Sequence, residues 1–211
     1  MARIVPRIED RFCPKWLLRY RGSIPLVARS GIAGETHMKL TEFFLAQLER
    51  DAASTRLALQ RVPEGHNDWK PHPKSMPLGY LASLCATMPG WIVSMIKQDE
   101  FDLASPAATR FKPAEWAERK ELLAALDGAV AEAREALSNT NDEHLFTNWK
   151  FLAGGHVISN EPRQVMIAES VFSHLAHHRG QLTVYLRLNE SSVPALYGPS
   201  ADEGKFERVP A

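Results

Sequence analysis

The stretch Ile167-Ala-Glu-Ser-Val171-Phe-Ser-His174-Leu-Ala-His-His178-Arg-Gly-Gln-Leu182-Thr-Val-Tyr185 decides the fold. Ile167, Val171, His174, His178, Leu182 and Tyr185 recur at steps of three and four, which is one face of an α-helix. Apolar residues fill the rest of that face, so it is the buried one. Two imidazoles therefore stand where the pattern asks for Leu or Val. Burying such a ring without a partner costs about 1–3 kcal/mol for each lost hydrogen bond. Something must satisfy both rings.

One helical turn separates His174 from His178, so both can offer a nitrogen to one point, as in a divalent-metal clamp. Zinc proteases use the same spacing but place a glutamate base after the first histidine. Here Leu175, Ala176 and His177 intervene, and the protease reading falls. His177 lies about 100° away around the helix, towards the surface or the outer support of a site. The same two rings could instead be held by neighbouring side chains or water, with no metal. Of the strong donors, the second helix offers a metal only Cys85, which also reads as a small apolar filler.

Three further helical patterns precede this one. Residues 40–62 carry Leu40, Phe43, Phe44, Leu48, Ala52 and Leu59 among charges, and end at Pro63 and Gly65. Residues 64–77 hold Pro71, Pro73 and Pro77 and predict an extended linker. A second helix starts at Pro77, with Leu78, Leu81, Leu84, Cys85, Met88, Trp91, Ile92, Met95 and Ile96 on a wide apolar face. Pro89 inside it predicts a kink. Residues 99–112 read as a polar loop. Residues 115–137, rich in Ala, Leu, Glu and Arg, form the third pattern. Residues 139–162 are irregular, and Gly154-Gly155 suggests a short hairpin or an ordered crossover between the third and fourth helices. The fourth helix covers 163–189. Four helices with few strand signals predict an all-α four-helix bundle.

The 211 residues suit one domain with an appendage, and 45% hydrophobic residues are enough for a core. Twenty-five basic residues balance twenty-five acidic ones, so no global field draws nucleic acid or an anionic membrane. Two cysteines exclude a disulfide scaffold. No uninterrupted apolar run predicts a transmembrane helix. Residues 1–37 differ from the rest, with seven Lys and Arg against three carboxylates, three prolines and poor periodicity. They read as a basic N-terminal extension, either a disordered tail, an arm, or residues upstream of the natural start. No signal peptide is evident, and neither aromatic-basic interleaving nor an amphipathic pattern supports nucleic-acid or membrane binding there. The domain reading is 38–203, with 204–211 a C-terminal tail.

The segment from His174 to Leu188, with its His-His-Arg-Gly-Gln run at 177–181, resembles the fourth helix of the DinB-like family of bacterial proteins. The run from Val193 to Glu203 and the linker Trp69-Lys-Pro-His-Pro-Lys-Ser75 are similar to one branch of it. The resemblance implies an up-up-down-down bundle, a homodimer, a cytoplasmic location, and a divalent metal such as zinc or nickel. In that family three histidines hold the metal. His174 and His178 match two of them, while the position of the third falls on Leu84. A substitute ligand would be His72, Cys85 or a carboxylate. The resemblance further implies a metal-dependent, thiol-dependent transferase taking a low-molecular-weight thiol or another small molecule. In it Arg179 either orients an anionic group or forms a surface salt bridge, and Gln181 and His177 support the ligands. The alternative is a non-catalytic bundle with a degenerate metal site, acting as a binding or stress-associated protein.

Overall fold

A computed structural model describes residues 38–106, 108 and 115–204. The N-terminal extension at 1–37 and residues 205–211 of the tail lie outside the described residues. The chain is mostly helical with a small sheet. In chain order the elements are α1 (Leu40–Leu59), α2 (Leu78–Thr87), a 3₁₀ turn at Met88–Gly90, α3 (Trp91–Lys97) and β1 (Glu100–Asp102). There follow α4 (Arg119–Ser138), α5 (Asp142–Leu145), β2 (Asn148–Ala153), β3 (His156–Pro162), α6 (Arg163–Met166), a π-helical stretch at Ile167–Ser173, and α7 (His174–Leu188).

The periodic helices form where the pattern places them, and local chemistry sets their ends. The first N–H groups of α1 lack helical partners, and Asp142 supplies them from a hundred residues away. Its carboxylate accepts from Leu40 N at 2.8 Å and Thr41 N at 3.0 Å. Those donors hold the Asp142 carboxyl below the usual carboxylate range. The second helix breaks at Pro89, which has no N–H to give, and tightens there into the 3₁₀ turn. At its start Gly79 meets the linker closely, because a Cβ there would lie 2.9 Å from Asn67 Cβ. The third helix begins at Arg119, later than the apolar pattern predicts. Trp116 stays outside it and donates from Nε1 to Gly79 O at 3.0 Å.

The purely α-helical expectation is corrected by the three strands, ordered β1-β2-β3. β2 and β3 are the antiparallel hairpin suggested by Gly154-Gly155, whose φ angles are +60° and +79°. β1 pairs parallel to β2 and arises from what reads as a polar loop. Asp102 joins the pieces by accepting from Gly154 N at 2.8 Å and Gly155 N at 2.7 Å. The pairing skips Ile158, so β3 carries a bulge there. Arg163, 1% exposed, fastens the hairpin to the helices. Its guanidinium donates to Thr147 Oγ1, Asn148 O, Gln98 O and Asp99 Oδ1 at 2.6–3.1 Å.

Four long helical stretches share one core, with Leu48, Leu59, Leu81, Met88, Ile92, Leu126, Leu137, Ile167 and Leu182 at its centre. Each such side chain contributes about 1.5–3 kcal/mol when fully buried. Contacts fix the helix directions. Phe44 stacks on Phe172 and Asp51 pairs with Arg179, so α1 and α7 run parallel. Arg56 pairs with Asp127 and Glu49 with Arg134, so α4 is antiparallel to α1. Met76 meets Tyr185 while Trp91 meets His174, so α2 and α3 are antiparallel to α7. The order is up-down-down-up, in place of up-up-down-down. Trp116 meets Gly79 and Ala129 lies near Gly90, so the second and third helices run parallel to each other. The hairpin between the third and fourth helices turns at one end. The stretch Leu78–Lys97 is long and apolar enough to cross a membrane by length and composition, and most of it is buried inside the fold.

Candidate functional site: a histidine pair on the last helix

The fourth helix does not wind uniformly. Ile167–Ser173 is π-helical, and His174 opens the α-helical part. Such wider turns occur often at functional sites. Periodicity alone does not reveal this one, because Ile167, Val171 and Leu182 are all buried as a regular helix would have them.

The two rings meet. His174 Nε2 lies 2.8 Å from His178 Nε2, with ring centroids 4.5 Å apart. His178 is 7% exposed and His174 is half-buried against Trp91, whose ring centroid is 5.9 Å away. The other nitrogen of His178, Nδ1, is 2.8 Å from Gln181 Oε1. An amide oxygen only accepts, so Nδ1 carries the proton. The His174 ring bonds the Ser170 backbone one turn earlier, a contact that favours a protonated nitrogen. With Nε2 facing His178, the nitrogen that faces that turn is Nδ1. Gln181 thus accepts a hydrogen bond from the His178 ring. His177 is exposed, its ring 5.1 Å from that of His178.

Burial and the charge on its histidine neighbours lower the His174 pKa from 6.5 to about 4, and burial lowers that of His178. The folded state therefore prefers neutral rings. The stabilisation from His174 is complete above its unfolded value of 6.5, and is lost as pH falls from there through about 4. Denaturant midpoints of metal-free protein should decline across that window, and His174→Gln should decline less. Equal slopes for the two proteins would remove the imidazole from the account.

Leu84 is the position that the resemblance assigns to a third histidine. The Tyr185 hydroxyl donates to Met76 O at 3.2 Å, and Trp91 neighbours His174, so Leu84 falls midway, opposite His178 and Arg179. Leu84 is 7% exposed and cannot ligate. The substitutes do not gather at the pair either. His72 is exposed and accepts from Lys74 N at 3.1 Å within its own turn. Cys85 is wholly buried, and burial pushes its thiol up to about 12. Among the described residues no group of three or more His, Cys, Asp or Glu side chains comes together.

Arg179 corrects the surface reading. It is 0% exposed and packs against α1. Its guanidinium donates to Asp51 Oδ1 at 2.5 Å, Asp51 O at 3.1 Å, Thr55 Oγ1 at 2.8 Å and the Tyr197 hydroxyl. Gln47 Nε2 donates to the other Asp51 oxygen at 2.6 Å. Asp51 and Thr55 escape a sequence reading because both look like surface residues of an amphipathic helix. The one signal is their four-residue spacing on the side shared with Leu48 and Leu59.

The chain matches no protein-family model and no curated protein sequence. Solved structures do resemble it. A DinB-like protein from Bacillus cereus superposes with a TM-score of 0.59 at 22% identity, covering 74% of this chain and 97% of that one. A DinB-like protein from Bacillus subtilis does so with a TM-score of 0.53 at 18% identity, covering 72% of this chain and 95% of that one. The described residues have the helical fold of the DinB-like proteins.

Proposed function

We propose that the chain is a DinB-like four-helix bundle that binds a divalent metal, zinc or nickel, through His174 and His178. The observation that carries this reading is the approach of the two Nε2 atoms to 2.8 Å. With each Nδ1 turned to an acceptor, both Nε2 atoms present lone pairs to each other. A cation between them would draw on both; without one, a single proton between the two nitrogens makes the same contact a hydrogen bond. The residues present fit part of a metal site: two oriented donors, with Leu84 where a third would stand. Water and a small molecule, such as a low-molecular-weight thiol, would supply the remaining ligands.

When bound, the metal supplies Lewis acidity that lowers the pKa of a coordinated thiol or water, the chemistry of a thiol-dependent transferase. The chain's own residues do the positioning. Gln181 holds the His178 ring in the ligating tautomer. The Trp91 ring covers one side of His174 and keeps bulk water from it. A homodimer belongs to the same proposal.

The second reading is a non-catalytic bundle with a degenerate site, acting as a binding or stress-associated protein. The missing third ligand favours it, since zinc sites take at least three protein ligands. Metal analysis of protein purified without a metal-affinity column separates the two. Stoichiometric metal that disappears in His174→Ala is the expected result. No metal uptake, together with unchanged or greater stability in His178→Leu, would establish the second reading instead.

A further inference from the structure

We infer that the buried Arg179–Asp51 pair is a rotational lock that aims the histidine pair, and that Arg179 is a positioning residue for that site. Arg179 follows His178 directly, so the two side chains leave α7 about 100° apart. The guanidinium is fixed to α1 at three points, Asp51 Oδ1, Asp51 O and Thr55 Oγ1, all within 3.1 Å. Turning α7 by a fraction of that angle breaks them. With Arg179 held on the α1 side, His174 and His178 face the α2–α3 side, where the His174 ring meets Trp91.

Apolar packing alone would not set this angle so sharply. Leu175, Leu182 and Leu186 on α7 are wholly or almost wholly buried and tolerate small rotations by repacking. The Phe44–Phe172 ring stack, at 5.7 Å between centroids, already joins α1 to the last helix without the pair. A buried ion pair is moreover a poor stabiliser compared with apolar residues of similar volume, because both charges must be desolvated. Its five-donor fork is directional, and direction is what the site needs.

The test uses the full chain with both charges replaced, Arg179→Met with Asp51→Leu, and beside it Arg179→Lys and Thr55→Val. Three quantities are read: the denaturant midpoint, the His174 ring-proton shifts of metal-free protein, which the Trp91 ring 5.9 Å away displaces, and the zinc dissociation constant. The double variant should keep or raise the midpoint. Its His174 ring should nevertheless lose the ring-current signature of Trp91 and approach the shifts of free histidine, with zinc bound at least tenfold more weakly. Thr55→Val should show the same change in smaller measure, and Arg179→Lys should restore only part of the signature. A double variant with the wild-type ring spectrum overturns the inference. So does one that unfolds, because the pair would then be a stabiliser and not a lock. The zinc arm rests on the metal reading, whereas the ring spectrum does not. If the wild type binds no zinc yet its ring signature depends on Arg179, the metal reading fails and the lock stands.

Discussion

Leu84→His should raise zinc affinity on the order of a hundredfold. The two present donors leave a divalent ion short of the three protein ligands that zinc sites take. A complete structural zinc site is worth about 10–16 kcal/mol over four ligands, so one ligand carries about 3 kcal/mol, or two powers of ten. Interpolation between the Met76–Tyr185 and Trp91–His174 contacts puts Leu84 at the level of His178 and Arg179, and its burial means that the new ring enters the interior. Without metal, that ring is a polar group in an apolar place and should cost about 1–3 kcal/mol of stability. Zinc should return the loss, because a ligand that binds only the folded state stabilises it in proportion to the logarithm of its concentration. Titration calorimetry and thermal melts with and without zinc read both halves. An unchanged affinity, with the protein folded, would show that position 84 does not point at the histidine pair.

Arg179→Ala should destabilise the fold by about 3–5 kcal/mol, the usual cost of removing one partner of a buried ion pair. Asp51 is 4% exposed and, among the described residues, would keep only Gln47 Nε2 as a side-chain partner. The Thr55 hydroxyl, 0% exposed with its residue, would lose an N–H donor, and the Tyr197 hydroxyl would lose its anchor. A cavity the size of a guanidinium adds to the loss. Urea unfolding measures the effect directly, and adding Asp51→Leu to the same chain should recover most of it. If the single variant loses less than about 1 kcal/mol, water reaches the site and the charge is not buried in solution.

The helical pattern was readable because each long helix keeps an apolar stripe, and Leu48, Leu81, Leu126 and Leu182 all lie in the core. Helix direction was not readable. The order up-down-down-up shows only in contacts between residues far apart in sequence, such as Asp51 with Arg179 and Arg56 with Asp127. The three residues of β1 carry no alternating pattern and become a strand only because β2 offers its edge. At the site, the inward aim of His174 and His178 followed from spacing. The burial of Arg179 did not, since an arginine beside a histidine looks like surface. Its place in the interior depends on Asp51 and Thr55, which no local spacing around residue 179 can announce. The π-helical turn before His174 likewise leaves the apolar spacing intact.

The hairpin has one more consequence. Among the described residues β3 is an outer strand, and unprotected outer strands invite other chains to add themselves edge to edge. Here Ile158 interrupts the regular run of main-chain donors and acceptors halfway along, and Pro162 removes a donor at the end. An incoming strand would find no uniform ladder to copy. Among the described residues the sheet has three strands, and this border is poorly shaped to take on a fourth.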